Sequence, residues 1–369
     1  MAKMYFHAQE LKNALAKISA AVGAGKINPA EKSIYIRGGE GVVTFQAQNG
    51  YVTAQVACPT IDGVTPTFDD FAVEGKKLTA FVSKLGGDRV AFDISSKKLG
   101  ITTPQAEISL PIRPDRISPI DGSAFSLVAE IKNKELKAAV QKAIVCTSKS
   151  ETRPIMTAIN FAQKFGVFEL QSCDGTRLSV VKLADGSENN FSYLIPAEAI
   201  SAILSMASSL KDDDPIRFKQ ANGRSAIFEF ADVVVHAKFI TNEYLDIHAL
   251  IPNNYDKKIT VDMDELKSAL EIVLLATFDG RTPLKISLNS AEMKISTSSA
   301  EANCAVTVPL AYSNITEDFV IGFSPSILCP VVKSFAAEEV VISFGTKTQG
   351  ALIETEGHTA LVLPVRLRE

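Results

Sequence analysis

The sequence of 369 residues has no apolar run of about 18 residues, the length a membrane-crossing helix needs, so no membrane span is expected. It also has no Cys-x-x-Cys pair. Its five cysteines (Cys58, Cys146, Cys173, Cys304, Cys329) are odd in number and scattered, which argues against a disulfide framework and a zinc module and suits a reducing cytoplasm. Only four histidines are present, also scattered, so a histidine-based metal site is not expected. The start, Met1-Ala2-Lys3-Met4-Tyr5, passes directly into a strand pattern without a signal-peptide apolar stretch, and a cytoplasmic location follows as an expectation. Neither Gly-x-x-x-x-Gly-Lys-Ser/Thr nor Gly-x-Gly-x-x-Gly occurs, so no phosphate cradle and no cofactor are expected. At a net charge of −4 acidic residues outnumber basic ones, but binding nucleic acid needs only a local basic face.

What is present is a repeat. Glu10-Leu11-Lys12-Asn13-Ala14-Leu15 returns as Glu135-Leu136-Lys137-Ala138-Ala139-Val140 and again as Glu265-Leu266-Lys267-Ser268-Ala269-Leu270. Each copy follows a short alternating run: Met4 to His7, Leu127 to Ile131, and Lys258 to Val261. Alternation followed by helical spacing reads as strand, turn, helix. Three near-evenly spaced copies point to three tandem units, 1–123, 124–251 and 252–369. The stretch 113–123, with two Pro and two Asp, and Pro252-Asn253-Asn254 read as linkers.

Within each unit a second helix is expected. Leu78, Phe81, Val82 and Leu85 share the spacing of Ile200, Ile203, Leu204 and Ala207, and of Ile327, Pro330 and Val331. The first helices carry the same stripe, as in Leu11, Ala14, Leu15 and Ile18. Strands are expected at 33–37, 42–56, 89–94 and 100–110 in the first unit, with 42–56 broken by Asn49-Gly50, a turn whose two residues would take positive φ. In the second unit they are expected at 155–161, 167–183 with a turn at Asp174-Gly175, 216–230 and 233–240. The plan is α+β, with two helices of each unit packed on one face of an antiparallel sheet.

No catalytic constellation stands out. Cys173-Asp174-Gly175-Thr176 is the nearest approach to the aspartate nucleophile of a phosphoryl-transfer enzyme. Ser172 stands where the acidic partner should be, so a hairpin corner is the better account. The basic residues are more informative. Lys12, Lys137 and Lys267 each follow the same core Leu of their helix, and Lys77, Lys142 and Lys149 lie on or beside helices. For one helix a solvated face explains them. Repeated over several helices, they would converge on a surface that binds phosphates without reading sequence.

Several strings resemble those of the bacterial β sliding clamps, the processivity subunits of DNA polymerase III. They are Glu151-Thr152-Arg153-Pro154, Cys173-Asp174-Gly175-Thr176-Arg177-Leu178-Ser179-Val180, the segment from Phe228-Glu229-Phe230 to Pro252, and Leu363-Pro364-Val365-Arg366-Leu367. The resemblance implies a DNA clamp fold of three tandem repeats, assembled as a head-to-tail homodimeric ring. It implies a non-catalytic protein that encircles double-stranded DNA without sequence preference. Its DNA-facing residues would be Lys12, Lys26, Lys77, Lys137, Lys142, Lys149, Arg153 and Lys267. The implied partners are the polymerase III catalytic subunit, the clamp loader, and other polymerases and repair proteins. Their linear motifs would enter a groove walled by Met156, Cys173, Gly175, Thr176, Arg177 and Leu178, by Leu245 and Leu250 of an interdomain strand that the resemblance implies at 243–250, and by Val362, Leu363, Pro364, Val365, Arg366 and Leu367. The dimer contact would lie near Ile108 and Leu110 of one copy and Leu274 and Leu275 of the next.

This chain departs from the family pattern at Leu245, at His248 and Ala249, at Cys173 and Thr176, and in extending to Arg368 and Glu369. These changes bear on which motif the groove prefers. Two other readings stay open at this level: an enzyme working through Asp174, and a monomeric scaffold that no longer forms a ring. Gel filtration with light scattering separates ring from scaffold.

Overall fold

The computed structural model describes residues 2–25, 28–185, 190–221, 223–277, 282–299 and 302–367. The six helices described are α1 (Ala8–Ile18), α2 (Gly75–Lys84), α3 (Asn133–Ile144), α4 (Ala197–Met206), α5 (Met263–Leu274) and α6 (Pro325–Ser334). Every first helix of the repeat forms where the ELK strings predict it. Leu11, Ala14, Leu15 and Ile18 of α1 are buried, as are Leu266, Ala269, Leu270 and Val273 of α5. The start of α5 is fixed by Asp262, whose carboxylate accepts from the Asp264 and Glu265 amides at 2.9 Å each.

The chain divides into two compact units, residues 1–136 with 198–239, and residues 137–197 with 240–369. The first holds a four-stranded sheet in the order Ala2–His7, Arg89–Ile94, Lys98–Thr103, Ala106–Pro111. Its second sheet has eight strands, in which Val52–Pro59 pairs antiparallel with Val233–Lys238, Val56 opposite Val233. The other unit repeats the scheme. It holds a four-stranded sheet in the order Asn303–Pro309, Glu292–Ser298, Leu284–Leu288, Phe319–Phe323. Its nine-stranded sheet has Arg177–Asp185 paired with His358–Val362, Arg177 opposite Val362. Consecutive repeats share long sheets, because joining them edge to edge satisfies two rows of backbone groups that each would otherwise expose.

Other expectations change locally. The expected strand 100–110 is a hairpin, Lys98–Thr103 and Ala106–Pro111, whose turn is held by the Thr103 hydroxyl accepting from the Ala106 amide at 3.1 Å. The expected strand at 155–161 starts only at Ala158, because Pro154 opens a short 3₁₀ turn, Pro154–Thr157. The run 216–230 is two strands separated near Gly223, which has φ +61°. Phe71–Glu74 is a strand that the pattern did not suggest. The run 243–250 is not a strand. It is irregular and ends in a 3₁₀ turn, His248–Leu250.

Neither Asn49 nor Gly50 takes positive φ. The Asn49 side chain makes the turn itself, its oxygen accepting from the Tyr51 and Val52 amides at 2.9 Å each. Phe81 of α2, expected in the core stripe, is exposed. In α6 the buried set is Pro325, Leu328, Cys329, Val331 and Val332, so the stripe runs one residue out of the expected phase, with Ile327 and Pro330 at its margin.

Candidate functional site

A second apolar cluster lies apart from the main core of the second unit. Cys173, Leu178, Val180, Ile247, Leu352 and Leu361 are its buried members, and Tyr244, Leu245, Ile251 and Tyr255 pack against it. Three of the residues expected in the groove, Cys173, Leu178 and Leu245, are thus brought together. Next to its members in the chain, Leu250 beside Ile251 is 45% exposed and Leu363, two residues after Leu361, is 41% exposed. The pattern did not single out Tyr244, Ile247, Ile251, Tyr255, Leu352 or Leu361. One signal was available: Tyr244, Ile247 and Ile251 fall three and four apart, so an irregular segment can turn them all to one side.

The turn beside this cluster is built by Asp174. One carboxylate oxygen accepts from the Thr176 amide at 2.8 Å, the Thr176 hydroxyl at 2.7 Å and the Arg177 amide at 3.1 Å. The other accepts from Arg177 Nε at 3.0 Å. Gly175, at φ +92°, supplies the left-handed residue the turn needs. Both oxygens being engaged, Asp174 works as the corner of a hairpin, and nothing about it suits a nucleophile.

Arg177 reaches further. Its Nη1 donates to the Ile327 carbonyl at 2.9 Å and touches that of Ser326 at 3.4 Å, both in the first turn of α6. Pro330 has no amide hydrogen to offer Ser326, four residues before it, so the guanidinium serves a carbonyl the helix leaves free. The proline that looks like a blemish in α6 is where the neighbouring strand attaches.

The C-terminal segment divides the remaining expected groove residues. Val362 is fully buried in the main core of this unit. The Leu363 amide donates to the Thr176 carbonyl at 2.9 Å, and the Val365 amide to the Gly322 carbonyl at 2.8 Å. Met156 is half-buried near Gly175, with its Cε 3.7 Å from where a Cβ there would stand. Leu363 and Arg366 are exposed, and Pro364, Val365 and Leu367 half-buried.

Burial pushes the Cys173 thiol up from its ordinary value, and that of Cys146 further still. Both stay protonated and behave as small apolar groups. The Tyr244 and Tyr255 hydroxyls are buried without a hydrogen-bond partner, and burial raises the Tyr255 phenol to about 12. Among the described residues no group of three His, Cys, Asp or Glu could hold a metal ion.

Of the expected DNA-facing residues, Lys77, Lys137, Lys149 and Arg153 are exposed, and Lys12 and Lys142 half-buried. Lys26 lies outside the described residues. Lys267 is engaged otherwise: its Nζ donates to the Phe335 carbonyl at 2.8 Å, closing the C-terminal end of α6. The three repeated lysines are therefore not equivalent. Of the residues expected at a dimer contact, Leu275 is 88% exposed and Ile108 half-buried on the edge strand Ala106–Pro111. Leu110 is buried within its own unit and Leu274 packs on the core, so neither presents a free surface.

Comparison with known proteins adds the following. The sequence profile described as "DNA polymerase III beta subunit, central domain" matches residues 130–246, and that described as the C-terminal domain of the same subunit matches residues 248–366. The beta sliding clamp of Staphylococcus aureus is 24% identical over 352 residues, covering 92% of each chain. The sliding clamp structure from Bacillus subtilis superposes with a TM-score of 0.90 at 20% identity, and the DNA polymerase III beta subunit of Thermotoga maritima with 0.90 at 19%. Each superposition covers the whole of both chains.

Proposed function

The chain belongs to the DNA polymerase III beta subunit family, the sliding clamps, which are processivity factors and not enzymes, and from that premise we propose how its own residues do the work. Two copies join head to tail into a ring around duplex DNA. The three repeats are 1–123, 124–251 and 252–369, and the ring carries six of them. Two open strand edges support this reading. Ala106–Pro111 and Asn303–Pro309 each end a four-stranded sheet with one side unpaired among the described strands. Pairing one copy's first edge with the other copy's second closes a ring and leaves neither exposed. Leu275, exposed at the end of α5, would be covered in that contact.

DNA is held by topology. Lys77, Lys137, Lys149 and Arg153, with Lys12 and Lys142, supply phosphate contacts that carry no sequence information, so the ring slides. Lys267 contributes by fixing α6. The partners are the polymerase III catalytic subunit, the clamp loader and other polymerases and repair proteins, in the cytoplasm.

The observation that carries the partner reading is the apolar cluster around Cys173 and Leu178, with Leu250 and Leu363 exposed at its rim. An extended peptide placing two apolar side chains there removes that surface from water, and the cluster's backbone and Arg177 hold its wall in place. Because Cys173 and Leu178 are themselves buried, the first contacts are with the rim and with Met156. A fluorescent Gln-x-x-Leu-Phe-type peptide should bind, and Leu250→Asp with Leu363→Asp should weaken it by at least about tenfold. Unchanged binding in that double variant refutes the groove. Light scattering tests the ring: a monomer at micromolar concentration overturns it.

A further inference from the structure

In the four-stranded sheet Asn303–Pro309, Glu292–Ser298, Leu284–Leu288, Phe319–Phe323, Ile286, Met293 and Ile295 are buried in the core. By alternation Lys285, Lys294 and Ser296 project from the opposite face. Lys285 stands directly across from Gly322 on the neighbouring strand. The C-terminal segment crosses that glycine. A Cβ at 322 would lie 2.7 Å from the Val365 carbonyl oxygen and 2.8 Å from the Leu367 side chain, so only glycine admits the segment there.

The crossing delivers Arg366 to the same open hollow as Lys285 and Lys294, which Thr282, Ser296 and Asn303 also line. No Asp or Glu is among the described residues lining it. Three cations in one hollow, with no carboxylate among its described lining residues, repel one another, a cost that an anionic occupant removes. On a chain of net charge −4, such a concentration of one sign is a local feature.

The position of the hollow identifies the occupant. Leu363 is bonded to Thr176 at the rim of the groove, and Arg366 follows three residues later, no more than about 10 Å along an extended chain. One tail thus walls both places. Lys285 and Lys294 sit on the two inner strands of their sheet, so they remain available when the outer strand Asn303–Pro309 is paired.

We propose that this hollow is a second docking subsite, which takes acidic residues flanking the peptide motif held by the groove. The inference rests on the groove reading. An acidic peptide fits better than nucleic acid because the site continues the peptide groove.

The test uses the full-length chain and three probes: the groove peptide with a neutral flank, the same peptide with a flank of four Asp or Glu, and a single-stranded oligonucleotide. At low salt the acidic flank should tighten binding about tenfold, and the gain should vanish at high salt. Lys285→Ser with Lys294→Ser should abolish the gain and leave the neutral peptide unchanged. Lys285→Glu with Lys294→Glu should make the acidic peptide bind more weakly than the neutral one, which shows that the variant is folded and that charge is what is read. The inference is overturned if the acidic flank gives no gain, or if the gain survives both variants. Oligonucleotide binding that depends on Lys285 and Lys294 while the acidic flank gives no gain assigns the hollow to nucleic acid instead. Failure of the neutral peptide to bind defeats the groove reading, and with it the subsite built on it.

Discussion

The two units contain the same turn put to different uses. In the first, the Asn49 side-chain oxygen accepts from the amides two and three residues on, and the Asn49 amide donates to the Val52 carbonyl at 2.9 Å. In the second, Asp174 accepts from the amides of Thr176 and Arg177, and its own amide donates to the Arg177 carbonyl at 3.2 Å. The side-chain atoms left over differ. Asn49 Nδ2 donates to the Ala20 carbonyl at 3.3 Å, just past its own first helix. The second Asp174 oxygen holds Arg177, which reaches α6. Changing a neutral amide for a carboxylate turns a local corner into a strut between repeats. The lesson is that two turns can share a hydrogen-bond pattern while a single charge redirects what that pattern supports.

Each unit also carries a histidine on the strand that joins two repeats, His236 in one and His358 in the other. Burial lowers both, with Lys238 assisting at His236 and Lys142 at His358, and His358 falls to about 3. His358 stacks on Phe335 at 4.0 Å, with Nε2 3.0 Å from the Ser179 hydroxyl and Nδ1 unpartnered. A histidine held below its unfolded value takes up a proton only on unfolding. Its contribution to stability is complete above about pH 6.5 and is lost as the pH falls towards 3. This gives the largest expected effect. The second unit should lose up to about 1.4 kcal/mol per pH unit across that window, roughly 5 kcal/mol in all, and the first unit less. Hydrogen exchange of the two joining strands between pH 7 and 4 measures it, and His358→Phe should flatten the dependence of the second strand. Equal acid sensitivity in both units would break the comparison.

Next in size is Arg177→Ala. It leaves the Asp174 carboxylate and the Ile327 carbonyl without their cation, at a cost of about 3 kcal/mol in denaturant unfolding, with weaker binding of the groove peptide. Asn49→Ala removes two neutral hydrogen bonds and should cost about 1 kcal/mol, with no effect on the peptide. A similar loss in both variants would mean that the reach to α6 carries no energy.

Much of this contrast was legible in the sequence, and the reasons for the rest are physical. Leu11, Leu136 and Leu266 announced the first helices because an amphipathic stripe is a local signal. Asp174-Gly175 announced a hairpin for the same reason. The shared sheets were hidden, because the pairing of Val56 with Val233 or of Arg177 with Val362 joins residues remote in sequence. The resemblance implied a strand at 243–250, yet Tyr244, Leu245 and Ile247 pack on the Cys173 cluster from an irregular segment instead. Pro330 was counted into the α6 stripe by its spacing, whereas its effect comes from the carbonyl it frees. Of the candidate site, Cys173, Leu178, Leu245, Leu250 and Leu363 were placed by resemblance, and the tail's attachment to Gly322 required coordinates.

The smallest effect separates the two turns most cleanly, because its sign changes. Gly175 holds φ +92°, where a Cβ meets the backbone, while space is not the obstacle, the nearest atom being Met156 Cε at 3.7 Å. Gly175→Ala should therefore cost about 1–2 kcal/mol through backbone strain alone. Gly50 has ordinary negative φ, and a Cβ there meets nothing within 4 Å. Gly50→Ala restricts the unfolded chain without straining the folded one and should stabilise by about 0.5 kcal/mol. The midpoints of urea unfolding for the two variants should move in opposite directions from the parent. Movement in the same direction would show that the Asn49 corner, too, depends on a left-handed residue, and that the side-chain hydrogen bonds at 2.9 Å do not hold that turn by themselves.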